Sequence, residues 1–150
     1  MTELRSEDVK NAVTARLLES APECAVYKEA VTSPAYPHFF VHLISVTDEE
    51  QRKRRHILSY SFDLRYRVAS DPSTDLKLLS GLDAMALRLM AAMDIIPCGD
   101  VMIRCEDKSY EKTDGVLHFF LTVRMQAMLK DTADDTEKLG KLEVSVATRG

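Results

Sequence analysis

Glycine is scarce: five in 150 residues, none of them arranged as a Gly-rich loop that cradles phosphate. No Gly-x-Ser-x-Gly turn offers a strained nucleophile. The cysteines, Cys24, Cys98 and Cys105, are odd in number and contain no Cys-x-x-Cys. Their spacing supports neither a disulfide framework nor a zinc site, and buried reduced thiols are the simpler reading. No apolar run approaches the ~20 residues that span a bilayer. The opening MTELRSEDVK lacks the apolar centre of a secretion signal, which predicts synthesis and folding in a cytoplasm. Basic charge is not in excess either. With 20 Lys and Arg against 24 Asp and Glu, the net charge of −4 gives no global attraction to nucleic acid or anionic membrane.

What is present suffices for one core. A chain of this length buries roughly two-thirds of its unfolded surface. Its 45% hydrophobic and 29% charged residues are ordinary globular values. Ser6 is a good N-cap, with Glu7 and Asp8 suited to a first helical turn. Val9, Val13 and Leu17 recur at helical spacing, which predicts a helix over about 7–20, ended by Pro22. CAVYKEAV reads as a short strand. The aromatic and β-branched run after Pro37 reads as another, and TDEEQRKRRH as a charged connection. Leu58, Tyr60, Phe62, Leu64, Tyr66 and Val68 then alternate with polar residues, a clear period of two. Leu78, Leu82, Met85, Leu89 and Met93 place a second helix over about 74–93, stopped by Pro97 and Gly99. Strands follow at Val101–Cys105 and Val116–Ala127, joined by the loop DKSYEKTDG. The expectation is a single domain over 1–150. It includes an acidic linker at 130–141 and a candidate C-terminal strand at 142–148. The class is α+β: two layers, with a largely antiparallel sheet and two helices packed on one face.

Chemistry is hard to find. His38 and His42 are four residues apart, but on a strand that separates them by roughly 13 Å. Zinc ligands each sit about 2 Å from the metal, so the pair does not share one. His56, Ser59, Ser61 and Asp63 supply the residue types of a nucleophile triad without its turn. His118 reads as a surface or interface residue rather than a general base. The only basic cluster, Arg52, Lys53, Arg54 and Arg55, follows Asp48, Glu49 and Glu50 at once, and a solvated hairpin tip explains it. No catalytic residue, metal ligand or cofactor site is predicted, and the expected role is not enzymatic.

Surplus strand surface remains. Two helices cover one face of a sheet, yet Phe40 and Ile44 make their strand apolar on both faces. Val116 and Phe120 likewise interrupt a polar face. Such residues ask for a partner, and another copy of the same chain is the simplest.

Several stretches resemble a known family. DVKNAVTARL, VYKE, PHFFVHL and YSFDLRY, then DGVLHFFLTVRM and KLEVSV, are similar in pattern and order to phage tail terminator proteins of Gram-positive prophages and phage-tail-like particles. The likeness runs over roughly 8–146, with no catalytic signature in it. It implies a structural virion protein, made in the bacterial host and carried on the tail. Such a protein caps the head-proximal end of the tail tube as a ring, commonly six-fold. It halts tube polymerisation and joins the tail to its connector. The implied partners are further copies of the chain, the tube protein, the connector or neck protein and, in a contractile tail, the sheath. Sequence-specific nucleic acid and membrane are not among them. A neck or head-completion adaptor is the alternative reading. The expected subunit and tube contacts are Phe40, Ile44, Ser59, Ser61, Asp63, Arg65, His118, Phe120, Thr122 and Arg124. The basic turn Arg52, Lys53, Arg54 and Arg55, and the acidic tail from Asp131, are the expected docking elements for connector or sheath.

Overall fold

The period-two stretch behaves as its pattern dictates, and the rest of the chain packs around it. In the computed structural model, which describes residues 2–4, 6–69, 76–128 and 142–144, β4 (Arg55–Arg67) sits at the centre of the sheet. It is flanked by β3 (His38–Glu50) and β7 (Val116–Met128), both antiparallel to it. Beyond β3 lies β2 (Ala25–Tyr27), which runs parallel to it. Beyond β7 lies β6 (Val101–Thr113), and beyond that β5 (Ile95–Cys98), both antiparallel to their neighbours. These six strands form a mixed sheet curled into half a barrel. Past the end of the β6 pairing, the edge of β7 is taken up by β8 (Leu142–Val144). That strand pairs in turn with β1 (Thr2–Leu4).

Two helices cover the inner face. α1 (Ser6–Ser20) buries Val9, Ala12, Val13 and Leu17, and α2 (Leu76–Ala92) buries Leu82, Met85, Ala86 and Leu89. They meet Phe39, Val41, Leu58, Phe62, Leu64, Leu117, Phe119, Leu121 and Val123 from the sheet in one cluster. Each such side chain contributes about 1.5–3 kcal/mol by leaving water. Polar clamps hold the layers in register. Arg88 of α2 donates to Glu23 and to the carbonyl of Ser20 at the end of α1. Asp83 accepts from Lys112 and Tyr110 on β6.

The α+β class is as expected, and the two-layer antiparallel description fits in part, because the sheet is mixed and curls. The helices were placed to within about two residues at each end. Two connections proved to be strand. The charged TDEEQRKRRH continues β3 to Glu50, turns at Arg52–Arg54, and restarts as β4 at Arg55. DKSYEKTDG is β6 as far as Thr113, leaving only Asp114 and Gly115 to turn. Both turn residues have positive φ, 51° and 74°, the backbone twist a two-residue hairpin requires. In each case backbone pairing with a long neighbour overrides low strand propensity. The strand Ile95–Cys98, read as a helix stop, tolerates Pro97 because it lies at the sheet's edge. The candidate C-terminal strand is present over Leu142–Val144, and the acidic linker falls outside the described residues.

Candidate functional site: the outer face of the sheet

Alternation on β4 sends Leu58, Tyr60, Phe62, Leu64 and Tyr66 inward and Ser59, Ser61, Asp63, Arg65 and Arg67 outward. The register extends these outward positions into rows across three strands. Phe40, Arg65 and His118 form one row; His42, Asp63 and Phe120 the next; then Ser61 with Thr122, and Ser59 with Arg124. The structure therefore brings nine of the ten expected contact residues onto one continuous face. Ile44 is the exception. It occupies the irregularity where the β3–β4 register slips between Leu43 and Ser45, and it is 50% exposed. His56 points to the opposite face from Ser59, Ser61 and Asp63, so these four residue types do not converge. Its Nδ1 instead meets Asp48 Oδ1 at 2.6 Å.

Asp63 organises the face. Its side chain is only 6% exposed although it belongs to the outer side. Arg65 Nε donates to Oδ2 at 2.9 Å, and His118 Nδ1 lies 3.0 Å from the same oxygen and 3.3 Å from Oδ1. Because a carboxylate only accepts, His118 presents a proton on Nδ1 to Asp63. Aromatic neighbours frame this cluster. The Arg65 guanidinium carbon lies 5.9 Å from the Phe40 ring centre, and His118 stacks on Phe120 at 6.2 Å. Farther along, Arg124 pairs with Glu106 at 2.8 Å. The result is a mostly polar surface with two phenylalanines, tied together by its own hydrogen bonds.

One end of this face is concave. The 28–37 connection and the β6–β7 turn wall off a pocket of about 430 Å³ over the Phe40, Arg65 and His118 row. His38 and Arg67 also line it, as cross-strand partners. The connection is pinned from both sides. Ala35 N–H donates to Tyr27 Oη at 3.0 Å, and His38 Nδ1 donates to the Ala35 carbonyl at 2.9 Å. Arg67 and the pocket's walls, Tyr27, Val31 and Pro34, were not singled out in the sequence. Arg67 was visible as the last outward residue of the alternating run. The wall residues had no signal, since only the loop's fold places them.

The expected docking turn lies at the opposite end of the β3–β4 hairpin. Lys53 takes a left-handed conformation there, φ 59°, and Arg52, Lys53 and Arg55 are exposed. The acidic tail from Asp131 lies outside the described residues.

The cysteines sit inside the core. Burial pushes the thiols of Cys24 and Cys98 up, and that of Cys105 to about 12. Tyr60 and Tyr66 are likewise raised by burial. Among the described residues, no three His, Cys, Asp or Glu side chains gather as metal ligands, and no helix is long and apolar enough to cross a membrane.

Residues 8–136 match the family model described as phage tail terminator protein. A search of curated proteins finds no match.

Proposed function

Because the chain belongs to the phage tail terminator family, we propose that this structural component of the virion tail works as a ring. Copies assemble side by side at the head-proximal end of the tail tube. The ring stops further tube subunits from adding and presents a different surface to the connector. The chain acts by shape and surface chemistry, with no reaction to catalyse.

The observation that carries this reading is the outer face of the sheet. Among the described residues helices seal only the inner side, while the outer side keeps Phe40 and Phe120 half-buried beside an ordered polar cluster. The distal part of β3 leaves Ile44 and Val46 at 50% and 44% exposure. A ring is a closed head-to-tail assembly, in which two unlike patches of one subunit meet on its neighbours. Such contacts cover apolar residues and open strand edges that are otherwise an aggregation hazard. The basic turn Arg52–Arg55 and the acidic tail are the elements we assign to connector or sheath docking. The net charge of −4 suits a DNA conduit, since a basic lumen would retain the genome through counterion release.

Deleting the gene and imaging purified tails tests the proposal. Overlong tubes of uneven length are the expected result. Tubes of normal length that lack heads would instead assign the chain to the neck.

A further inference from the structure

We infer that the pocket over the Phe40, Arg65 and His118 row takes a short, extended, acidic segment of another tail protein. Its carboxylates face Arg65 and Arg67, and an apolar side chain beside them meets the loop wall. This inference rests on the tail reading and deepens it by stating the chemistry of one partner.

The hydrogen-bond inventory of the pocket carries it. Arg67 makes no hydrogen bond or ion pair among the described residues, so its whole guanidinium fork lacks a protein acceptor. Arg65 commits Nε to Asp63 and leaves both terminal nitrogens in the same condition. Tyr27 Oη accepts from Ala35 N–H, and its own proton has no acceptor among the described residues. Against these donors the lining offers one carboxylate, Asp114 on the β6–β7 turn. Asp63 lies in the next row, 6% exposed, with its oxygens already engaged by Arg65 and His118. A concave site rich in donors and poor in acceptors suits a ligand that only accepts. A carboxylate facing a guanidinium fork is the matched pair.

The walls decide between sources of such an anion. Ala30, Val31 and Pro34 on the loop side and Val116 on the turn side are apolar, and Val31 is 46% exposed. A phosphate, free or on a nucleic-acid backbone, would satisfy the arginines and leave these walls wet. An acidic peptide covers both, and about 430 Å³ takes a few residues of extended chain. The His42, Asp63 and Phe120 row adjoins the pocket in register, so a bound segment can continue along the face. A second copy is the poorer occupant. Of this chain's own acidic stretches, Asp48–Glu50 runs straight into Arg52–Arg55, and the tail from Asp131 is assigned to connector or sheath docking. A different chain is therefore the occupant the observations favour.

A photoreactive residue tests this on the full-length chain in purified tails. Ala30→p-benzoylphenylalanine puts a benzophenone on the pocket wall, and irradiation followed by mass spectrometry identifies what it touches. The expected product joins this chain to a different tail protein, within a segment that carries Asp or Glu beside an apolar residue. Arg67→Glu should cut the yield at least about tenfold, because like charges then face each other, while Arg67→Lys should keep most of it. Arg67 is exposed and unpaired among the described residues, so an unchanged urea midpoint should accompany the loss. Val31→Asp, on the loop wall, should lower the yield independently. A product with a second copy, with DNA or with a neutral or basic segment would overturn the inference, as would an undiminished yield from Arg67→Glu. No product from tails that carry the chain and have normal length would overturn the pocket's role and leave the terminator reading standing. Tails of normal length that never carry the chain would overturn both.

Discussion

Removing the carboxylate of Asp63 tests whether the outer face is an ordered surface or a collection of incidental contacts. Asp63 is almost wholly buried and accepts from Arg65 Nε and His118 Nδ1 at 2.9 Å and 3.0 Å. A hydrogen bond to a charged group contributes about 1.5–3 kcal/mol where water cannot replace it. Both donors are partly wet, Arg65 at 43% and His118 at 21% exposure, so each recovers some hydration once the carboxylate is gone. The carboxylate itself also no longer has to be desolvated. Weighing these, Asp63→Ala should cost about 2 kcal/mol. Asp63→Asn should cost about 1 kcal/mol, since its amide oxygen still accepts from one donor. Urea unfolding followed by circular dichroism reads this directly. With an m-value of about 2 kcal/mol per molar for a chain of this size, the midpoint of the alanine variant should fall by about 1 M. Adding Arg65→Ala should then cost less than it does alone, because the two residues share one interaction. An unchanged or higher midpoint for Asp63→Ala would refute the reasoning. It would show the carboxylate to be a desolvation burden kept for some other purpose.

Two further outcomes follow from the same geometry. With its pKa at about 12, the Cys105 thiol is ionised to only about one part in 10⁴ at pH 8, against about a quarter for an ordinary thiol. Ellman's reagent should therefore leave the native chain unlabelled and react with all three cysteines in denaturant; a fast native thiol would contradict the burial described. Hydrogen bonding to Arg88 holds the Glu23 carboxyl below its ordinary value of 4.5. The pair's contribution is thus complete above that pH and lost as pH falls through the lower folded value. Arg88→Ala should lower stability at pH 7 by about 1 kcal/mol or less, Glu23 being half exposed, and by progressively less below pH 4.5. A deficit that persists undiminished at pH 3 would place the effect in packing instead.

Legibility in the sequence tracked how strongly burial imposes a period. From Leu58 to Tyr66 every second residue enters the core, so strand, face and register could all be read. The helices were legible for the same reason, through Val9, Val13 and Leu17 and through Leu82, Met85 and Leu89. The distal hairpin was not. Residues 47–50 are exposed on both faces, and 106–112 are mostly charged with only Tyr110 packed against the core, so neither stretch carries a hydrophobic alternation to read. Length alone held the clue: β4 and β7 are long, and a long strand needs partners along its whole edge. The candidate face was mostly legible, because outward parity on a clean strand places Ser59 to Arg67 without ambiguity. Its organisation was not, since the burial of Asp63 depends on a histidine 55 positions away, brought alongside by the β4–β7 register. The pocket was least visible of all, being shaped by a connection with no periodicity.

The polarity of the outer face is itself informative about order of assembly. An obligate interface, formed as the chain folds, resembles a core cut in half and is dominated by aliphatic side chains. Here Asp63, Arg65, His118, Ser61 and Thr122 satisfy or solvate themselves before any partner arrives, while Phe40, Phe120, Ile44, Val46 and the pocket-wall Val31 remain partly uncovered. On the proposed reading, a face built this way lets the subunit persist alone and then gives up little hydration when a matching surface is presented. On the proposed reading that is what a terminator needs. Free subunits that closed readily on one another would be consumed before the tube reached its length. On that reading, subunits that meet through weak, mostly polar contacts assemble when the tube end gathers them, because holding copies side by side raises their effective concentration without strengthening any single contact.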